Sequence, residues 1–144
     1  MNTKIIAVIG VVVIGIIIFV RFWPSDQSPS PSVGSQALAE QTRQANAVMI
    51  VVTPLNVSPS TSVWQFKTVL DTHVDDLNQD IAANVVLIGN DKQQQPLGWQ
   101  GDPPGGHHRE GILEFQSMTP RPRSIELRIN GIGGETGTTF QWDL

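Results

Sequence analysis

From residue 47 to the C-terminus the chain alternates apolar and polar residues with a period of two, and this pattern rules out most alternatives to a β fold. Val48, Ile50 and Val52 alternate before Pro54. Trp64, Phe66, Thr68 and Leu70 alternate against Gln65, Lys67 and Val69. Val85 and Leu87 continue the pattern, then Leu97 and Trp99, Leu113 and Phe115, Ile125 with Leu127 and Ile129, and finally Phe140, Trp142 and Leu144. Clusters of Gly, Pro, Asn and Asp separate these runs, and no amphipathic helix follows residue 47. One-sided alternation places one face of each strand in a core and the other in water, as in antiparallel sheets packed face to face. Residues 47–144 are therefore expected to form an all-β, immunoglobulin-like antiparallel β-sandwich of about seven strands, with a small barrel as second choice. The Trp–disulfide pair of antibody domains is absent, since the chain has no cysteine, so only the architecture is expected. Trp64, Trp99 and Trp142 sit in strand phase and are expected in the core. The last strand runs to Leu144, so removing Phe140–Leu144 should unfold the domain.

Upstream the chemistry changes. Ile5 to Val20 is a run of sixteen apolar residues, about 24 Å as a helix against a hydrocarbon core of about 30 Å. Lys4 and Arg21 can snorkel at its two ends, Phe22 and Trp23 suit the interfacial belt, and Pro24 stops the helix. Residues 1–23 are read as a single N-terminal transmembrane anchor. A cleaved signal peptide fits less well, because Arg-Phe-Trp-Pro follows the apolar run where small residues should stand. One Lys plus the terminal amine against one Arg favours an internal N-terminus, with the domain on the extracytoplasmic side of the cell membrane. Residues 24–46 read as a linker. Pro24–Ser35 is Ser/Pro-rich, and Gln36–Asn46 is helix-tolerant but has one Leu to bury.

Charge and composition exclude several functions. The net charge is −4, and residues 46–144 hold 11 acids against 6 Lys/Arg, which argues against nucleic acid as a partner. Without cysteine there are no disulfides, thiolate metal sites or cysteine nucleophiles. No Gly-flanked serine suggests a nucleophile, and Gly131-Ile132-Gly133-Gly134 lies between two strands, where it reads as a hairpin turn.

Two segments do not read as scaffold. Leu70–Asp80 follows a strand and carries Asp71, His73, Asp75, Asp76 and Asp80; Gly101–Gly111 precedes a strand and carries His107, His108 and Arg109. A strand end meeting a strand start brings such segments to one edge of a sandwich. Three imidazoles, or two with a carboxylate, suit Zn²⁺ or Cu²⁺. The candidate metal set is His73, His107, His108, Asp71 and Asp75. Adjacent strand residues face opposite ways, so His107 and His108 ligate one ion only from a bulge or loop. An oxygen-only Ca²⁺ set is Asp71, Asp75, Asp76, Asn78 and Asp80. The structural reading is a clasp in which Asp71 pairs with Arg109, the imidazoles donate to loop carbonyls, and Asp75 or Asp80 shape turns.

Phe66–Leu77 with its Asp71-Thr72-His73 and Asp76-Leu77 elements, Trp99, Pro104–Gly111 and the closing Phe140-Gln141-Trp142 together resemble a group of small bacterial and archaeal exported proteins. The likeness covers most of residues 48–144, and Gly105-Gly106-His107-His108 is its most specific piece. It implies an exported β-domain and supplies no catalytic role. The expectation is a membrane-tethered, non-enzymatic accessory or interaction domain. It would contact the bilayer through residues 5–23 and a membrane-protein partner or complex through its domain. The alternative is an extracytoplasmic metal-binding domain using the His73 and His107/His108 loops with Cu or Zn, or less favourably Ca.

Overall fold

The computed structural model describes residues 37–144; the expected anchor (1–23) and the first part of the expected linker lie outside them. Among the described residues nine strands form two antiparallel sheets: β1 Gln41–Ala45, β2 Val48–Asn56, β3 Val63–Thr72, β4 Val85–Gly89, β5 Lys92–Gln94, β6 Gly98–Gly101, β7 His108–Gln116, β8 Ser124–Ile129 and β9 Thr138–Asp143. One sheet has the order β1-β2-β3-β7-β6 and the other β5-β4-β8-β9. The only helical turns among the described residues are short 3₁₀ turns at Ala82–Asn84 and Ile132–Gly134. No helix among the described residues is long and apolar enough to cross a membrane.

The expected alternation is what builds the two sheets. In β3 every second side chain from Trp64 to Thr72 is buried, and in β8 Ile125, Leu127 and Ile129 are buried. Inward faces from both sheets meet at an aromatic centre. Phe66 lies edge-on to Phe115 at 5.8 Å and packs on Trp142 at 5.7 Å, and Trp142 stacks with Phe140 at 6.4 Å. Such ring pairs contribute about 0.5–1.5 kcal/mol each beyond the area they bury. Trp64 and Trp142 are core residues, while Trp99 is half-buried against the core.

Two strands go beyond the seven expected. β5 is three residues long with no buried residue, and β1 buries only Ala45. Both are edge strands whose pairing rests on backbone bonds, so neither carries an apolar period. β1 lies inside the stretch assigned from sequence to the linker, and strand structure begins at Gln41 instead of residue 47. It is held by more than its ladder to β2. The Trp142 indole Nε1 donates to the Ala39 carbonyl at 2.6 Å, and Gln41 Nε2 donates to the Gln141 carbonyl at 2.5 Å.

The register separates the loops onto two ends. At one end lie the start of the described chain at residues 37–40, the 57–62 and 90–91 turns, the 117–123 loop and Leu144. At the other lie the Asn46-Ala47 turn and the 73–84, 102–107 and 130–137 loops. Both suspect segments fall at that second end, remote from residue 37.

Candidate functional site

The site is a backbone clasp before it is a set of side chains. β3 and β7 pair in register from Val63 opposite Gln116 to Asp71 opposite His108. Beyond that point the pairing continues into the loops. Thr72 N donates to His107 O at 2.9 Å, Leu77 N to Gly106 O at 2.8 Å, and Gly105 N to Leu77 O at 2.9 Å. The double glycine permits this path, because Gly105 and Gly106 have φ of 118° and 72°, where a side chain would be strained. Leu77 drops into the core at the centre of the loop.

Strand alternation then sends His108 and Arg109 to opposite faces. His108 points outward beside Asp71, with Nδ1 2.5 Å from Asp71 Oδ1. That hydrogen bond holds the imidazole pKa above its ordinary value, against some desolvation. The charges of Asp71, Glu110 and Asp102 act in the same direction as the bond. Arg109 lies opposite Leu70 and turns inward, with 2% of its surface exposed. Its Nη1 donates to Leu77 O at 3.0 Å and Gln79 O at 2.6 Å, and its Nη2 to Asp102 O at 3.2 Å. Burial lowers its pKa, while Asp102 and Asp80 offset part of that effect. One guanidinium thus ties the 73–84 loop to the 102–107 loop. The expected Asp71–Arg109 pair does not form, because Asp71 is on the outer face and Arg109 on the inner one.

Trp99 closes over the clasp. Its ring centroid lies 5.9 Å from the Arg109 guanidinium carbon, and its Nε1 donates to Asp102 O at 2.9 Å. Two facing glycines make room for the indole. A Cβ on Gly111 would stand 2.6 Å from Trp99 Cζ2, and one on Gly101 would stand 2.4 Å from Glu110 O. Spacing alone hides these partners, since all of Arg109's acceptors are main-chain carbonyls. The one available signal is the pair of glycines flanking a Trp and an Arg.

The candidate metal residues do not all come together. Asp71 is engaged by His108, and His107 Nε2 lies 3.7 Å from Asp76 Oδ1. His73 and Asp75 are exposed and take part in neither pair. Among the described residues no three His, Asp or Glu side chains are grouped so as to hold a metal ion. Of the Ca²⁺ set, Asp80 Oδ1 instead accepts Ala83 N at 3.2 Å at the first 3₁₀ turn. His107 and His108 meet carboxylates and not the loop carbonyls expected for them. Thr72 is buried, with its hydroxyl accepting Val74 N at 3.4 Å, so it is not presented to His73 as an attacking group.

Beside the clasp is a hollow of about 240 Å³, bounded by Val48, Thr72, Val74, Asp75, Asp76 and Gln79. Val74 is 62% exposed at its rim. The charges at this end are one-sided. Its loops carry Asp75, Asp76, Asp80, Asp102 and Glu135 and no Lys or Arg. Of the strand residues beside them, Arg109 is buried and Arg128 is paired with Glu126 at 2.6 Å. Compared with known proteins, the chain matches no family model, no curated protein and no solved structure.

Proposed function

We propose that this chain is a membrane-tethered, non-enzymatic interaction protein, held by residues 5–23 in the cell membrane with its immunoglobulin-like sandwich on the extracytoplasmic side. Its binding surface in this reading is the clasp end, and the partner is a membrane protein or complex presenting basic groups. The observation that carries the reading is the placement of the His73–Asp75 tip. Three consecutive exposed residues stand beside an acid-rimmed hollow, on a loop braced from behind by Arg109. They lie at the end of the sandwich away from residue 37, which leads to the tether. Exposed residues on a rigid support are the usual form of a recognition loop.

The test is a photo-crosslinking residue in place of Val74 in the full chain in its own membrane, with Gln141 on the other sheet as the control position. A discrete adduct from Val74 alone, lost when Asp75 and Asp76 are both changed to Lys, is expected. Equal adducts from both positions, or none, would overturn the reading. Stoichiometric Zn or Cu in the purified chain, lost on His73→Ala, or stoichiometric Ca insensitive to that change, would replace it with metal handling.

A further inference from the structure

The inner and outer sides of the clasp are fastened by different chemistry. Inside, Arg109 ties the 73–84 loop to the 102–107 loop through three main-chain carbonyls, and a guanidinium stays charged at every pH a cell meets. Outside, the same two segments are joined by the consecutive residues His107 and His108. His108 Nδ1 lies 2.5 Å from Asp71 Oδ1, and His107 Nε2 lies 3.7 Å from Asp76 Oδ1. Asp71 and Asp76 bracket the exposed tip His73–Asp75. The backbone on either side of the tip is fixed, since Thr72 N donates to His107 O and Leu77 N to Gly106 O. Residues 73–76 therefore arch between two anchored points. Among the described residues of that arch, Asp76 is the one whose side chain reaches the facing loop, through His107.

We infer that His107 and His108 form a pH-dependent latch on the His73–Asp75 tip, closed while the imidazoles are protonated and loosened when they are neutral. An imidazole changes charge between pH 5 and 8, where carboxylates are already anions. The groups that face the two rings set the sign. Asp76 faces His107 from the 73–84 loop. Asp71 faces His108 from β3, and its hydrogen bond holds the imidazole pKa above the ordinary value against some desolvation; the charges of Asp71, Glu110 and Asp102 act with the bond. Lys67 on β3 is the cation of this face, and it is paired with Glu110 at 3.0 Å. Met49, beside Asp71 on β2, brings no charge. The His108 tie is thus complete below about pH 6.5 and is lost as pH rises through the higher folded value. Both pairs are partly exposed, so each is a weak tie, and together they change the open population of the tip by about two- to fivefold. Arg109 and the backbone bonds hold the rest of the clasp at either pH. In the interaction reading above, on which this consequence rests, mild acid presents the partner with a stiffer recognition loop.

The chain has no native cysteine, so one engineered cysteine labels one position. A nitroxide on Val74→Cys reports the tip in the full-length, detergent-solubilised chain, and one on Thr136→Cys reports the neighbouring 130–137 loop. The mobile fraction of the Val74 label, read by electron paramagnetic resonance, is expected to rise about two- to fivefold from pH 5.5 to 8.5, while the Thr136 label stays level. His107→Gln/His108→Gln should leave the tip at its mobile, high-pH level throughout, with unchanged tryptophan emission showing that the fold is intact. Asp71→Asn/Asp76→Asn removes the same pairs from the other side and should give the same flat profile. His73→Gln, which deletes the imidazole outside both pairs, should keep the response. A tip equally mobile at both pH values, a response that survives either double substitution, or one shared equally by Thr136 overturns the latch. No partner enters the measurement, so its failure leaves the interaction reading to stand or fall on the Val74 photo-crosslink.

Discussion

Arg109 is the residue whose removal tests the clasp most directly. Of its three carbonyl partners, Leu77 O also accepts Gly105 N and Asp102 O also accepts Trp99 Nε1. Gln79 O receives Arg109 Nη1 at 2.6 Å and has no second donor among the described bonds. Arg109→Ala therefore orphans one carbonyl, at about 1–3 kcal/mol. It also empties the space of a long buried side chain, a loss of about 2–5 kcal/mol for comparable core truncations. Relief of the buried cation's desolvation offsets part of this, which leaves about 3–5 kcal/mol. Arg109→Met keeps most of the volume and loses only the donors, so it should cost about 1–3 kcal/mol. The assay is urea unfolding of the detergent-solubilised chain followed by tryptophan emission, to which Trp99 over the guanidinium contributes. With a slope of about 1.5 kcal/mol/M, the alanine variant should lower the midpoint by about 2 M or more. An alanine variant within about 0.5 kcal/mol of the parent, or a methionine variant as stable as the parent, would refute the clasp as a source of stability.

The remaining predictions concern the same structure. Thr68 is fully buried with a hydroxyl that has no partner, so Thr68→Val should hold or raise stability by up to about 1 kcal/mol in the same titration. Gly111→Ala sets a methyl against the Trp99 ring and should cost about 1–3 kcal/mol and alter the near-UV signal. Gly98→Ala, with nothing within 4 Å of the added carbon, should be neutral or slightly stabilising. The raised His108 pKa makes its pair with Asp71 pH-dependent. Its contribution is fully present below the unfolded-state value near 6.5 and is lost as pH rises through the higher folded value. The stability gap between the parent and Asp71→Asn should therefore narrow as pH rises from 5.5 to 8.5 in paired titrations; a gap flat or widening with pH would count against the pair.

What could be read in advance depended on burial. β3, β8 and β9 announce themselves because alternate residues enter the core, and a strand period exists only where one face is dry. β1 and β5 bury one residue or none, so Gln41–Ala45 reads as linker. The meeting of the Asp71 and His107–Arg109 segments is legible from their positions at a strand end and a strand start. The partner of Asp71 is not. It depends on register, and a one-residue shift exchanges His108 for Arg109 on the face that Asp71 occupies. The partners of Arg109 are hidden for another reason, since main-chain carbonyls have no signature in a sequence.

Most of the clasp motif has a structural use, which narrows where function can lie. Gly105 and Gly106 provide the left-handed turn, Leu77 provides the core anchor, and Arg109 provides the tie between loops. Gly101 and Gly111 provide the space for Trp99, and Asp71 is satisfied by His108. None of these residues needs a ligand to explain its identity. Asp80 is likewise used as a turn cap. The stretch left without a side-chain task is His73, Val74 and Asp75, all exposed, with Val74 among the most exposed large apolar residues described. An exposed Val between a His and an Asp contributes nothing evident to folding when the base of its loop is already fastened by Leu77, Arg109 and the Gly106 carbonyl. In the proposed reading, binding therefore falls less on the conspicuous Gly-Gly-His-His run than on the quieter loop that it supports.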